Sequence, residues 1–246
     1  MATKKSTATK KDVPPTAKAF ISLLTDLSDP AKIDNSKHFS DPVKGNKFLH
    51  VRMGHIFDLA KACKTMVLTD VSKMLDSAWY EVRVAAVCIM DFQAREKKIT
   101  PEHRKALYDL YVKKHDRINN WDMVDRSAPF VVGGYLFDKP RKVLYTLAKS
   151  KHTWERRTAI VSTYYFIRNK QLDDTFAIAR LLVHDAHDLI NKAVGSWVRE
   201  AGKQDKRKLL AFLDEFAKTM PRVTLRYALE KQDKKTKDHY MAMAKG

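Results

Sequence analysis

The sequence is poor in residues that interrupt helices and in residues that cross-link a chain. Its 246 residues include only seven glycines, eight prolines and two cysteines. Sandwiches and barrels need many turns, so the scarcity of glycine and proline argues against them and favours helices. With 44% hydrophobic residues, the chain can form a sizeable core in one large domain or two small ones.

Several functional classes lack their sequence signatures. Cys63 and Cys88 lie in apolar surroundings and are too few for a disulfide framework, so we expect buried thiols. No run of 18 apolar residues is present, which argues against a membrane span, and the first residues lack the apolar run of a secretory signal. We therefore expect an intracellular protein in a reducing compartment.

Nucleotide and metal sites are equally unsupported. Neither G-x-G-x-x-G nor G-x-x-x-x-G-K-[ST] occurs in the sequence. The nine histidines are scattered, and neither His184 nor His187 stands in a cluster with cysteine or glutamate. We expect no metal and no organic cofactor.

Positive charge is the most abundant feature of the composition. The chain has 47 basic and 29 acidic residues, a net charge of +18. Residues 19–230 alone carry +11, so the charge belongs to the body of the protein as well as to its ends. So large a charge opposes compaction, and a polyanionic partner is the simplest reason to retain it.

The chain divides by composition into an arm, a helical body and a tail. Residues 1–14 predict a disordered, lysine-rich arm, residues 15–232 a single domain, and residues 233–246 a basic C-terminal tail. Within the body, residues 28–46 predict a loop, and Gly133 with Gly134 predicts a helix end. Helices are predicted over residues 46–63, 67–76, 78–95, 102–115, 119–134, 139–149, 153–169, 172–183, 187–203, 205–218 and 221–231.

Four of these helices look like repeats of one another. Each places a basic residue before small and aliphatic ones; the basic residues are Arg83, Arg157, Lys192 and Arg226. The spacing is 35 and 34 residues, with one double step of 74 whose missing member falls near residue 120. Such a period with two helices per unit predicts a helical solenoid with a concave basic face. The alternative is that these are ordinary solvated charges.

The segment from Asn119 to Pro129 carries the most chemistry. Trp121 and Asp125 are four residues apart, so they share one face of a helix. A carboxylate repels phosphate, so its presence on a basic surface that binds phosphate indicates a specific function. Excision of a cationic N-alkylated purine from DNA provides one, because the sugar becomes electron-poor as the bond breaks. The alternative is a core tryptophan and an aspartate paired with Arg126 or Arg157.

Five motifs follow one another along the chain: GNKFLHVRMGHIFDLAK (45–61), NNWDMVDRSAP (119–129), TWERRTAIVSTYYFIR (153–168), DLINKAVGSWVREAGK (188–203) and MPRVTLRYALEK (220–231). In these motifs and in their order the chain resembles the DNA alkylation repair (AlkD-like) family of HEAT-like repeat DNA glycosylases. The resemblance implies a HEAT-like all-α single-domain solenoid. It also implies excision of lesions such as 3-methyladenine and 7-methylguanine from duplex DNA without a cofactor, by a nucleoid-associated, cytoplasmic monomer.

The resemblance also assigns residues. It places the catalytic aspartate at Asp125, its companion tryptophan at Trp121 and a phosphate-side arginine at Arg157. DNA contacts are expected from Lys192, Arg83, Arg199, Arg226 and Trp197. The family's second tryptophan would fall at Ser196, whereas Trp197 follows it, a rotation of about 100° on a helix that directs Trp197 toward the core. A non-catalytic module that binds nucleic acid or an acidic protein stays open as the alternative.

Overall fold

Helices make up the regular secondary structure of the protein. The computed structural model describes residues 16–39 and 45–243, apart from the side chain of His38. Over these residues it contains no strand, so the predicted all-α, helical-repeat fold class is confirmed. The helices are α1 (Ala17–Thr25), α2 (Met53–Ala62), α3 (Leu68–Leu75), α4 (Tyr80–Ala94), α5 (Pro101–Lys113), α6 (Trp121–Ala128), α7 (Gly134–Leu136), α8 (Lys142–Ala148), α9 (Thr153–Arg168), α10 (Asp173–Leu182), α11 (Asp188–Gly202), α12 (Lys206–Phe216), α13 (Arg222–Leu229) and α14 (Lys234–Met243). The predicted arm, residues 1–14, lies outside the described residues.

The packing of the helices divides the chain between Ile118 and Asn119 into two compact units. In the first unit α4 is the central helix, and α2, α3 and α5 pack against it. Most of its residues are apolar, and every one except Phe92 is buried. A helix that is apolar all round must be surrounded by other elements, and α4 forms the core of this unit in that way.

The helix predicted over residues 46–63 begins only at Met53, and that prediction was wrong at its N-terminal end. Lys47 is instead extended: its N–H donates to the Ala78 carbonyl and its carbonyl accepts from Tyr80 N–H, both at 2.9 Å. The buried carboxylate of Glu81 accepts the next backbone N–H groups, those of residues 49 and 50, at 2.9 Å. These long-range bonds satisfy the backbone outside a helix, which local spacing could not reveal.

The prediction of a helix end at Gly133 and Gly134 was also wrong. After α6 the chain passes through a π-helical turn, Pro129–Gly133, and continues directly into α7. Pro129 has no N–H to donate to the carbonyl four residues before it, which favours the wider turn. A Cβ atom on Gly133 would lie 2.2 Å from the backbone oxygen of Ser162 in α9. Glycine therefore stands here because two helices approach closely.

The second unit is built on a row of helices, α6, α9, α11 and α13, each packed against the next. We call these four helices the central row. Helices α8 and α10 pack against α9, α12 packs against α11 and α14 packs against α13, so every member after α6 is joined by a flanking helix. The alternation of central and flanking helices is the arrangement expected of stacked helix pairs.

The segment predicted as a basic C-terminal tail contains a helix. Residues 234–243 form α14, and Tyr240 in this helix is buried. The Tyr240 hydroxyl donates to Asp214 Oδ1 of α12 at 2.6 Å. Burial and the nearby Asp214 charge raise the pKa of Tyr240 to about 12. This segment is therefore a docked helix of the second unit over residues 234–243.

Candidate functional site

The helices of the central row share one register of charged residues. They begin after the N-cap residues Asn120, His152, His187 and Pro221. The fifth residue after each N-cap is, in chain order, Asp125, Arg157, Lys192 and Arg226. The repeat member missing near residue 120 therefore carries a carboxylate where the next three repeats carry cations.

Asp125 lies on the partly exposed face of α6. Positions 123, 124, 127 and 128 of this helix are buried, whereas positions 121, 122, 125 and 126 are only partly so. Trp121 is the first residue of α6 and lies one turn before Asp125 on the same face. The predicted pairing of an indole with a carboxylate on one helix face is therefore present, and Trp121 is half-buried rather than a core residue.

Arg157 holds the Asp125 carboxylate with two hydrogen bonds. Its Nε donates to Oδ1 at 2.8 Å and its Nη2 to Oδ2 at 2.7 Å. The Asp125 side chain keeps 28% of its exposure, whereas that of Arg157 keeps 6%. A bidentate pair of this kind fixes both groups strongly, and it is the pairing that the alternative reading of Asp125 allowed. The Asp125 side chain nevertheless stays partly exposed.

The position of Arg157 differs from the expected phosphate contact. Its guanidinium is buried, and besides Asp125 its Nη1 donates to the backbone carbonyl of Leu189 at the start of α11. Three hydrogen bonds to these two partners leave this side chain suited to orienting the carboxylate. The structure thus brings Asp125 and Arg157 together as an ion pair, whereas the expected role of Arg157 was a separate contact with phosphate.

Lys192 lies one repeat further along the row. Its Nζ is 2.6 Å from Asp188 Oδ2, and the hydrogen bond to Asp188 raises the pKa of Lys192 above its ordinary value. The positive charge of Arg157 acts on the pKa of Lys192 in the opposite direction. Lys192 is therefore a protonated cation at neutral pH, within electrostatic reach of the Asp125–Arg157 pair.

Two of the remaining predicted contacts lie on α13 and α11. Arg226 is exposed on α13, which suits a contact with an anionic partner. The guanidinium of Arg199 is largely buried and pairs with Glu200 at 3.2 Å and with Glu230. Arg226 is thus accessible at the surface, whereas Arg199 joins α11 to α13.

Trp197 packs against α9. Its Nε1 donates to the Val161 carbonyl at 3.1 Å, and its ring meets that of Tyr164 edge-on at 6.1 Å. Ser196, where the resemblance expects a tryptophan, is half-buried. The indole of Trp197 is therefore held between two helices of the central row.

Arg83 lies in the first unit and is almost completely buried. It donates to the carbonyls of Ser77 at 2.8 Å and Ala78 at 3.2 Å, and to Asn46 Oδ1 at 2.5 Å. Burial, followed by the charge of Arg117, lowers the pKa of Arg83 to about 10. Arg83 thus holds the turn between α3 and α4, and it stands fourth rather than fifth after its N-cap residue, Trp79.

Sequence reasoning missed Arg156, the true counterpart of Arg83. Arg156 is fourth after its N-cap and donates to the carbonyls of Ser150 and Lys151, both at 3.1 Å. Both arginines thus bond carbonyls five and six residues before themselves. The signal was visible in the sequence as a serine six residues before each arginine.

The remaining candidates give no second site. Cys63 and Cys88 are both buried, as predicted, and burial raises the pKa of Cys63. Over residues 16–39 and 45–243 no three potential ligands among His, Cys, Asp and Glu form a metal-binding group. Nor does any helix in that part of the chain have the length and apolar character needed to cross a membrane.

Fold and site together define a class of protein. It is a basic helical-repeat protein in which one helix carries a carboxylate at the position where the next three carry cations. The model of a family described as DNA alkylation repair enzyme matches residues 20–232, and the chain belongs to this family. Its role therefore lies in the repair of alkylated DNA. A comparison with curated proteins found no match.

Proposed function

We propose that the protein is a DNA glycosylase that excises positively charged N-alkylated purines, of the 3-methyladenine and 7-methylguanine type, from duplex DNA. The observation that carries this proposal is the Asp125 carboxylate, on a partly exposed side chain and held in place by Arg157. A fixed negative charge on a basic protein repels a phosphate backbone but stabilises a cation that forms during a reaction.

The reaction that fits is hydrolysis of the N-glycosidic bond. The alkylated purine is cationic, so the electron pair of the breaking bond leaves it neutral, and no acid is needed to protonate it. The sugar then carries positive charge, which Asp125 stabilises while it orients the water that adds to the sugar carbon, and the added water releases its proton to solvent. The face of Trp121, on the same side of α6, attracts the electron-poor base or sugar.

The row of cations supports hydrolysis without strand cleavage. Cleavage through a covalent imine needs a neutral amine as nucleophile. Lys192, the lysine of the central row, instead lies 2.6 Å from Asp188, and this hydrogen bond raises the pKa of Lys192, which disfavours the neutral amine. We therefore propose a monofunctional glycosylase, with exposed Arg226 and neighbouring cations on the DNA backbone.

A non-catalytic module that binds nucleic acid or an acidic protein is the second candidate. The Asp125–Arg157 ion pair favours this second candidate, because the two hydrogen bonds to Arg157 account for the carboxylate without any catalytic role. A module of this kind binds alkylated and unmodified duplexes equally and releases no base.

The test is release of base from methylated duplex by wild type and Asp125→Asn. We expect the variant to lose at least about 100-fold in excision rate, since the charge is needed in the transition state, while duplex affinity changes little. Asp174→Asn is the matched control, because Asp174 is also partly buried and pairs with an arginine, Arg141, at 2.5 Å. Wild-type activity in Asp125→Asn overturns the assigned role, and no release by wild type supports the module.

Partner and location are part of the same proposal. The partner is duplex DNA with alkylated bases, bound by a monomer without metal or organic cofactor. A cytoplasmic, nucleoid-associated location follows from that substrate and stays a prediction.

A further inference from the structure

Arg156 ties the turn between α8 and α9 to the turn that precedes α11. Its Nη1 donates to two carbonyls of the first turn, those of Ser150 and Lys151. Its other two nitrogens hold Asp185, with Nε at 2.6 Å from Oδ2 and Nη2 at 3.1 Å from Oδ1. The side chains of Arg156 and Asp185 are both largely buried, so this is a fixed connection rather than a surface contact.

The turn held by Asp185 leads directly to the site. Asp185 Oδ1 also accepts the backbone N–H of His187 at 2.9 Å, and His187 Nδ1 accepts the N–H of Leu189 at 3.2 Å. The Leu189 carbonyl then accepts Nη1 of Arg157, the arginine that holds Asp125. Neighbouring arginines on α9 therefore engage the same turn, one through a carboxylate and one through a carbonyl.

We infer that Arg156 and Asp185 are positioning residues for the proposed glycosylase, acting on Asp125 through Leu189 and Arg157. The inference rests on the proposed function. Arg157 is held on two sides, by Asp125 and by the Leu189 carbonyl, so a displaced turn displaces its guanidinium. The carboxylate that depends on it then leaves the geometry that electrostatic stabilisation requires.

The first unit shows which part of this arrangement is general. Arg83 bonds the turn before its own helix through the same pair of carbonyl positions, but the residue after it is Val84, which carries no charge. An arginine bonded to the preceding turn is therefore present in both units. The connection Arg156–Asp185–Leu189–Arg157–Asp125 needs the second arginine, Arg157, as well.

The experiment compares Arg156→Ala with Arg141→Ala. Arg141 is a matched control: its side chain has the same 16% exposure, it pairs with Asp174, and it donates to the carbonyls of Leu136 and Phe137. We expect both variants to lower the melting temperature. Only Arg156→Ala is expected to lower the single-turnover excision rate at saturating protein, by at least about tenfold, with unmodified-duplex affinity unchanged.

Two further variants separate positioning from folding. Arg156→Lys keeps one donor nitrogen in place of three and is expected to be faster than Arg156→Ala. Asp185→Asn leaves the arginine in place and is expected to have a lower excision rate than wild type. A wild-type rate in Arg156→Ala, or an equal loss in Arg141→Ala, overturns the inference. If Arg156→Ala does not fold, a wild-type rate in Asp185→Asn has the same meaning.

A measurement that does not depend on catalytic activity distinguishes this inference from the proposed function. The Arg157 Nε–H resonance, assigned by its loss in Arg157→Lys, reports the bond to Asp125. We expect it to broaden or shift in Arg156→Ala but not in Arg141→Ala. An unchanged resonance contradicts positioning even if wild type is an active glycosylase. A changed resonance in a protein that releases no base supports the connection while the proposed function fails.

Discussion

At the scale of single residues, the unusual feature is a buried guanidinium whose main partner is a partly exposed carboxylate. Removing one partner of such a pair leaves the other charge uncompensated, so the two side chains depend on each other. The arrangement also separates the roles of cations in the central row. Arg157 faces its carboxylate, whereas Arg226 faces the solvent.

This separation predicts different salt dependences for two neutralised variants. Arg226→Gln is expected to lower the slope of log affinity against log salt concentration for unmodified duplex by about 1, the amount typical of one lost phosphate contact. Arg157→Gln is expected to leave that slope nearly unchanged, because its guanidinium is buried against Asp125. Titration of binding at several salt concentrations measures both. An equal fall in the two slopes would assign Arg157 to the phosphates.

At the scale of helices, close approaches set the register of the second unit. Gly133 permits contact between the turn after α6 and α9, and α6 carries Asp125. A Cβ atom there meets backbone, which cannot rotate away. The close approach therefore fixes how α6 lies on α9, and with it the distance between the carboxylate and its arginine.

Two glycine substitutions test this packing. Gly133→Ala is expected to lower the free energy of unfolding by about 1–3 kcal/mol through overpacking. Gly54→Ala, in α2, is expected to be neutral or to stabilise by up to about 1 kcal/mol, because its Cβ would meet no atom within 4 Å. Denaturant unfolding at equilibrium measures both. A Gly133→Ala variant as stable as Gly54→Ala would show that the close approach is not needed.

Local pattern predicted most helices of the second unit but not every boundary. The helix predicted over residues 153–169 is observed as Thr153–Arg168, since its spacing and its ends are determined locally. The N-terminal end of α2 depends instead on Glu81, a residue distant in sequence. At the site, the shared face of Trp121 and Asp125 follows from helical spacing, whereas the buried position of Arg157 needed the packing of α9 on α6.

At the scale of the whole molecule, the excess positive charge favours an anionic partner but disfavours the cationic sugar of the proposed reaction. A net charge of +18 attracts any polyanion and repels any cation. The charge therefore accounts for binding to DNA of any sequence but cannot stabilise a cationic sugar. The family match includes residues on both sides of the boundary at Ile118, so the pattern that defines the family is not confined to the second unit.

The proposed reaction assigns the stabilisation of the cationic sugar to Asp125, and binding of transition-state mimics measures it. Two duplexes are compared, one with a cationic pyrrolidine in place of the damaged sugar and one with a neutral tetrahydrofuran. Wild type is expected to bind the cationic duplex at least about tenfold more tightly, and Asp125→Asn to lose that preference. Equal affinity of wild type for both duplexes, or an undiminished preference in Asp125→Asn, would contradict the role given to this carboxylate.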